Sequence, residues 1–259
     1  MDLTDAALLV VAGLGAGTVN AVAGGGSLVT FPTLLAVGLP SIPATVTNSV
    51  AVCPGYLASV YGSRTDLKDL AEHSGRRTLL RLIPTVVAGT AIGCALLLNT
   101  PTRAFDLVVP FLVLGATAVL ALQEQLKRAV LRPHDMSPRR RTLALHLAAG
   151  LGAVYGGYFN AALGVMLVAA LGLAIDDSLA RVSALKNAVS AVVGVGAVIA
   201  YAAFGPVNWA AAAVLIPATL IGGYTGARLA RRLPGRILRV VIVVFGVIVG
   251  IALLIRALR

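Results

Sequence analysis

Long apolar runs that are almost free of charged residues restrict this chain to one class of fold. Of its 259 residues, 58% are hydrophobic and 12% are charged, and few soluble domains could bury runs of this length. A helix of about 20 apolar residues crosses the ~30 Å of hydrocarbon in a bilayer. Candidate membrane spans lie at residues 5–23, 44–62, 78–98, 104–122, 182–204, 207–227 and 237–255. The sequence therefore predicts an all-α polytopic membrane protein.

Four connecting segments hold most of the basic residues. They are Arg64 to Arg81, Lys127 to Arg141, Arg181 with Lys186, and Arg228 to Arg239. Because cytoplasmic loops of membrane proteins are enriched in Lys and Arg, we expect all four on the cytoplasmic side. The net charge of +11 then reflects membrane topology and not binding to nucleic acid. The connections near residues 99–103 and 203–208 should face outward.

If the basic segments share one side, the apolar stretch at residues 143–175 must return to the side on which it starts. The same count places the amino terminus outside if residues 5–37 also form a hairpin. Small residues interrupt both stretches, "AGGGS" in residues 5–37 and "GGYFNAALG" in residues 143–175. Backbone polar groups exposed to lipid are costly, so a helix broken at membrane depth needs protein or a water-filled cavity beside it. We expect two re-entrant helical hairpins whose breaks line a cavity, with the amino terminus outside.

The two halves of the chain resemble each other. Residues 13–39 resemble residues 150–173, and "ATVTNSVA" at 44–51 resembles "SALKNAVS" at 183–190. Each half is then a broken hairpin followed by three crossings, and the two hairpins start on opposite sides. Inverted repeats with matching helix breaks are typical of secondary transporters, whose substrate sites lie near the membrane midplane. If residues 5–23 crossed the membrane completely, the repeats would be parallel instead.

This pattern divides the chain into three parts. Residues 1–125 form the first membrane repeat, residues 126–141 a basic cytoplasmic linker, and residues 142–259 the second repeat. Gly26 corresponds to Gly164 and Asn48 to Asn187 in this alignment. The glycine pairs Gly89/Gly93, Gly222/Gly226 and Gly246/Gly250 are typical of faces on which membrane helices make close contact.

The chain resembles the TauE/SafE family of sulfite and organosulfonate exporters. The resemblance covers both halves and rests on "NAVAGGGSLVTFPTLLAVGLP", "PATVTNSVAVCPG", "GGYFNAALGVMLVAALGL" and "RVSALKNAVSA". It implies export of sulfite, a sulfonate or a related small anion across the inner membrane of a prokaryote. Asn160 stands where family members often have glycine, and Thr45 and Ser183 stand where asparagine is frequent. These departures bear on which anion is carried.

The helix breaks supply the first candidate binding residues. Gly24, Gly25, Gly26 and Ser27 could present backbone N–H groups at the amino terminus of a half-helix, where the partial positive charge attracts anions. Asn160 and Gly164 occupy the second break. The alternative for these small residues is close helix packing.

Polar residues after each hairpin supply the second candidate set. Thr47, Asn48, Ser49 and Asn187 could donate hydrogen bonds to substrate oxygens, or could instead clamp neighbouring helices. Lys186, about one turn inside its helix, could hold the anion directly, or could extend its ammonium to the membrane interface.

The predicted function is a secondary transporter that exports a small anion by alternating access, with no cofactor and no metal. The ten acidic residues lie in loops or near the ends of spans, which disfavours a cation pathway. The membrane potential alone favours anion export by about 2.3 kcal/mol per charge per 100 mV. An anion channel and a carrier for a small carboxylate remain alternatives. A membrane-embedded enzyme would need clustered His, Asp, Glu or Cys, which the spans lack.

Overall fold

The computed structural model describes residues 2–22, 25–74, 76–130, 137–174, 179–229 and 235–257. These residues form twelve helices and, within those ranges, no strand. In chain order the helices are α1 (Leu3–Val22), α2 (Ser27–Ala36), α3 (Ser41–Gly62), α4 (Arg64–Ser74), α5 (Arg76–Asn99), α6 (Thr102–Ala121), α7 (Gln123–Val130), α8 (Pro138–Tyr158), α9 (Leu163–Ala174), α10 (Leu179–Phe204), α11 (Trp209–Leu229) and α12 (Gly235–Ala257).

The all-α polytopic class predicted from the sequence is confirmed. Every predicted span coincides with a helix, and five described segments are long and apolar enough to cross a membrane: 3–20, 80–99, 102–121, 180–204 and 240–257. Large apolar side chains such as Phe111, Ile199 and Ile248 are more than half exposed. Exposed apolar surface on this scale is unfavourable in water and favourable in lipid. The short helices α4 and α7 lie in basic segments where the sequence predicted only connections.

The first hairpin is broken between α1 and α2, which pack against each other. Helix α2 ends in a Schellman motif, in which Gly38 has a φ of +89° and its N–H donates to the Leu35 carbonyl. The N–H of Leu39 donates to the Leu34 carbonyl and completes the motif. Pro40 then begins the turn into α3. This tight reversal brings α3 back along α2.

The second hairpin is broken between α8 and α9. Asn160 and Ala162 both have left-handed backbone conformations there, with φ of 66° and 53°. Left-handed φ favours glycine, and asparagine tolerates it better than most other residues. This geometry accounts for asparagine at a position where glycine is frequent in the resembling family. Both helix breaks expected from the sequence are therefore present.

Glycines bring α1 into close contact with α11. A Cβ added to Gly17 would lie 2.2 Å from the Thr219 carbonyl oxygen, so only glycine fits there. Gly13 faces Ala218, and the Thr18 hydroxyl donates to the Gly222 carbonyl at 3.1 Å. Residue numbers increase together along the contact, so α1 and α11 run parallel.

Helices α5 and α8 form a similar pair. Gly89 faces Gly150, and a Cβ on Gly93 would lie 2.1 Å from the Val154 carbonyl oxygen, so these helices also run parallel. The contact faces predicted at Gly89/Gly93, Gly222 and Gly246/Gly250 are thereby confirmed. Gly226 lies outside the residues whose packing the structure describes.

Two other helix pairs run antiparallel. Along α3 and α10, Asn187 contacts Ser63 while Gly194 faces Cys53. Along α6 and α12, Gly246 faces Thr117 and Gly250 faces Leu114. Each pair joins a helix of the first half to a helix of the second half, so the halves are interleaved.

Candidate functional site

A cavity of about 910 Å³ lies where the two helix breaks meet the long helices. Gly26 and Gly164, one from each break, both line it. Its other walls come from α1, α3, α7, α9, α10 and α11, and they are largely small or apolar with a few polar groups. Small-molecule sites are usually built this way, with polar groups placed at a few points of an apolar wall.

The cavity lies toward one end of the helical bundle. It is lined by α3 from Val52 to its carboxyl end, by Ser183 near the start of α10, and by Tyr224 near the end of α11. The Arg64 guanidinium lies 4.3 Å from the centroid of the Tyr61 ring, and Tyr61 also lines the cavity. A positive charge therefore stands beside this end of the cavity.

Lys186 brings a positive charge into the cavity itself. Its side chain is half-buried and lines the wall. It makes no hydrogen bond and no ion pair with any residue in the described ranges. An unpaired cation at this depth is unfavourable unless water or an anion accompanies it.

Asn187, the next residue, joins α10 to α3. Its Nδ2 donates to the Ser63 hydroxyl at 3.0 Å and to the Ser59 carbonyl at 3.3 Å. Ser59 and Ser63 also line the cavity. Of the two roles weighed from the sequence, these contacts show the clamp between helices, and they lie at the cavity wall.

The second break carries a buried amide that bonds to α3. Asn160 is 1% exposed, and its Oδ1 accepts a hydrogen bond from the Tyr56 hydroxyl at 2.9 Å. Its Nδ2 has no partner among the described residues. Ser27, from the first break, lies beside the same hydroxyl.

Three candidate residues after the first hairpin are buried away from the cavity. The Asn48 Oδ1 accepts a hydrogen bond from the Thr30 hydroxyl at 2.5 Å, and the Thr47 hydroxyl oxygen accepts one from the Asn208 N–H at 2.9 Å. The Ser49 hydroxyl donates to the carbonyl of Thr45 at 3.0 Å. Asn48 and Thr47 thus link α3 to other segments of the chain, whereas Ser49 bonds within α3.

The remaining candidates belong to the first break. Gly25 is buried, and a Cβ on it would lie 3.2 Å from the Leu120 side chain, so it packs against α6. Its carbonyl accepts the Leu28 N–H at 3.1 Å. Ser27 is buried at the start of α2. Gly24 lies outside the described residues.

Aromatic rings fill the space on the other side of the breaks. The Phe31 and Phe159 rings meet edge to face with centroids 5.3 Å apart, and the Phe105 ring lies 6.4 Å from that of Phe159. Tyr158 packs against Phe105 at 5.7 Å. We call these four residues the aromatic cluster.

Phe105 lies near the start of α6, where Asp106 accepts a hydrogen bond from Ser41 at the start of α3. The cluster therefore lies toward the bundle end opposite the cavity.

Sequence reasoning missed several polar residues at the site. Asn20, Tyr56, Ser59 and Ser63 lie on or beside the cavity wall. Tyr56 and Ser59 of α3 and Ser63, which directly follows its last residue, recur at helical spacing, and the sequence already contains this signal. Asn20 falls in the last turns of α1, just before the first break.

Comparisons with known proteins identify a family and several relatives of this chain. The family model described as "Sulfite exporter TauE/SafE" matches residues 9–253. The chain is 27% identical over 242 residues to "Probable membrane transporter protein YfcA" of Escherichia coli K12, covering 92% of this chain and 86% of that protein. It is 25% identical over 226 residues to a "Probable membrane transporter protein" of Haemophilus influenzae, covering 86% and 84%. No solved structure matches.

Proposed function

This chain belongs to the sulfite exporter TauE/SafE family, and we propose that it is a secondary transporter exporting a small anion from the cytoplasm by alternating access. The favoured cargo is sulfite, an organosulfonate or a related sulfur oxyanion. Membership of the family and the named relatives support a membrane transporter. The position of Lys186 in the cavity is the observation that carries the anion assignment.

An anion in the cavity would meet complementary charge from two sources. The Lys186 ammonium faces the cavity without a protein partner in the described ranges. Gly26 and Gly164 lie at the amino ends of α2 and α9, where the first N–H groups of a helix lack intrahelical acceptors and carry partial positive charge. Transporters with broken helices use such half-helix ends to bind anionic substrate groups.

The directions of the helix pairs support the proposed inverted repeat. A two-fold axis in the membrane plane reverses each helix relative to its counterpart. The sequence alignment makes α3 the counterpart of α10 and α6 that of α12, and both pairs run antiparallel. The same axis exchanges the α1–α11 pair with the α5–α8 pair, and each of these runs parallel. A parallel repeat would not relate the helices in this way.

The proposed mechanism is exposure of one site to each side in turn. The cavity is at the end of the bundle where the basic segments begin, which the positive-inside bias predicts to be cytoplasmic. The aromatic cluster blocks the opposite path. In the reverse state we expect the cluster to separate and the cavity to close around Asn187. The membrane potential favours outward movement of the anion without a coupled ion.

Ligand binding to the purified protein tests this proposal. A ligand that binds only the folded state raises its apparent stability, so thermal unfolding is measured with sulfite, sulfate, thiosulfate, sulfonates and small carboxylates. Selective stabilisation by sulfur oxyanions that is lost in Lys186→Gln supports the proposal. Stabilisation by carboxylates alone would indicate a carboxylate substrate in place of a sulfur oxyanion. If no anion stabilised the protein, the proposed anion site would be contradicted.

A further inference from the structure

Asn20 brings a polar side chain of α1 to the cavity wall. It lies two residues before the end of that helix and lines the cavity. The hydroxyls of Ser59, Ser63 and Thr219, which also line the cavity, donate to backbone carbonyls. The Asn20 amide makes no hydrogen bond with any described residue. It is therefore not committed to a contact within the described protein, and it can exchange water for a ligand that enters the cavity.

Two glycines on neighbouring segments leave room for this side chain. A Cβ on Gly26, in the first break, would lie 3.1 Å from the Asn20 Cβ and 2.4 Å from the Ala16 carbonyl oxygen, so only glycine lets the break approach α1 this closely. A Cβ on Gly55 of α3 would lie 3.5 Å from the Asn20 Nδ2. Both glycines line the cavity. The Asn20 amide thus lies between the first break and α3, beside the cavity space.

The charges around Asn20 favour an anion. No Asp or Glu is among the described residues that line the cavity, and Lys186 contributes a positive charge from α10. Gly26 directly precedes the first residue of α2, so the partial positive charge at the amino end of α2 lies beside Asn20. The carbonyl groups at the end of α1 carry the opposite partial charge. A side-chain N–H donor on that turn gives an anion a favourable partner on the α1 side as well.

Asn20 and Lys186 approach the cavity at different depths. Asn20 lies level with Gly55 of α3, whereas Asn187, the neighbour of Lys186, donates to Ser63 at the end of α3. At a rise of 1.5 Å per residue, about 12 Å separate the levels of Gly55 and Ser63. An anion entering from the end of the bundle therefore passes Lys186 before it reaches Asn20.

We propose that Asn20 is a binding residue of the anion site and that the anion binds beside the first break. The Asn20 amide donates to an oxygen of the anion, and Lys186 attracts the anion from the entrance side. This inference rests on the proposed function and deepens it, because it locates the site at the inner end of the cavity. An anion that bound only at the entrance would not depend on Asn20.

Asn20→Ala and Asn20→Asp test this contact in the full-length protein, with sulfite and methanesulfonate as probes and calorimetry as the measurement. Loss of a hydrogen bond to a charged group predicts at least about tenfold weaker binding for Asn20→Ala. Asn20→Asp keeps the size of the side chain but adds a negative charge, so binding should weaken by at least about 100-fold. Thr18→Val is the matched control on α1, because Thr18 donates to the Gly222 carbonyl and does not line the cavity. Its affinity should equal that of wild type.

Gly55→Ala tests the same contact with Asn20 left in place. The added methyl group would lie at an ordinary contact distance from the Asn20 Nδ2 and would cover part of the wall beside it. We expect at least about threefold weaker binding. The unfolding temperature without ligand should stay equal or rise, because alanine favours a helix more than glycine does. Gly15→Ala is the control, since no atom of the described residues lies within 4 Å of a Cβ there.

The outcomes separate this inference from the proposed function. Wild-type affinity in Asn20→Ala, together with weaker binding in Lys186→Gln, overturns the inference and leaves the proposed function in place. If the Asn20 variants are too unstable to purify, Gly55→Ala decides, and wild-type affinity in that variant overturns the inference. Failure of the wild-type protein to bind either probe overturns both.

Discussion

Asn48 and Asn187 follow the two hairpins at corresponding positions but have opposite surroundings. Asn187 lines the cavity and donates to Ser63, whereas Asn48 is 1% exposed and accepts a hydrogen bond from Thr30. A protein with two-fold pseudosymmetry would place both residues alike if its two sides were equally open. Under the proposed inverted repeat and alternating access, this difference is the one expected of a conformation open on the side of Asn187 and closed on the side of Asn48.

This asymmetry predicts which positions react with a thiol reagent. In a Cys53→Ala/Cys94→Ala background, Ser183→Cys should react rapidly with a polar thiol reagent because Ser183 lines the cavity. Ser49→Cys should be protected, because Ser49 is 1% exposed. Labelling rates followed by mass spectrometry check this. Sulfite should slow the reaction at Ser183→Cys, and faster labelling at Ser49→Cys would contradict the assigned conformation.

Lys186→Gln should weaken anion binding about 10- to 100-fold, the worth of a lost hydrogen bond to a charged group. Lys186→Arg should retain most of the affinity because it preserves the charge. Lys68→Gln is the control, since Lys68 is exposed on α4 and does not line the cavity. Isothermal calorimetry gives the affinities. Equal affinity in Lys186→Gln and wild type would show that the ammonium does not bind the anion.

Asn187→Ala should reduce anion affinity about tenfold by releasing the contact between α10 and α3 at the cavity wall. Asn99→Ala is a suitable comparison, since Asn99 is exposed and its amide donates to the Ala95 carbonyl of its own helix. Calorimetry with sulfite measures the affinity, and thermal unfolding checks the fold. If both variants bind like wild type, Asn187 is a structural residue only.

Two glycines of α1 should respond oppositely to alanine. A Cβ on Gly17 would lie 2.2 Å from the Thr219 carbonyl oxygen, so Gly17→Ala should destabilise the protein by about 1–3 kcal/mol. No atom of the described residues lies within 4 Å of a Cβ on Gly15, so Gly15→Ala should be neutral or stabilise by up to about 1 kcal/mol. Thermal unfolding in detergent compares them. A stable Gly17→Ala protein would contradict the close α1–α11 contact.

The helix break itself is tested by Gly26→Leu. A Cβ at Gly26 would lie 2.4 Å from the Ala16 carbonyl oxygen, and Gly26 lines the cavity. We expect loss of transport, with Gly115→Leu as the control because a Cβ there meets open space. Anion flux into proteoliposomes is the measurement. A folded Gly26→Leu protein with normal flux would exclude the first break from the transport path.

The sequence was sufficient for the long apolar helices and both breaks, though not for α4 and α7, because apolar helices and their breaks depend on local composition. Apolar runs specify membrane helices, and glycine-rich interruptions specify where they stop. It did not reveal which of two equivalent asparagines faces a cavity, because that depends on the conformation adopted by the whole protein. Asn48 and Asn187 have similar local sequences and opposite surroundings.

Tyr56 was missed for a different reason. An aromatic residue in an apolar helix ordinarily packs in the core, and only the fold reveals that its hydroxyl meets Asn160, 104 residues further along the chain. Ser59 and Ser63 gain significance in the same way, through Asn187 on α10. Contacts between distant segments thus account for most of what the sequence left undetermined at the site.

The most direct test of the account is countertransport of radiolabelled sulfite in proteoliposomes, with the membrane potential set by a potassium gradient. A carrier that exposes one site alternately predicts saturable flux, acceleration by unlabelled sulfite on the opposite side, and faster anion movement toward the positive side. Flux that does not saturate and is not accelerated by sulfite on the opposite side would indicate a channel. Flux that is indifferent to the potential would contradict potential-driven export.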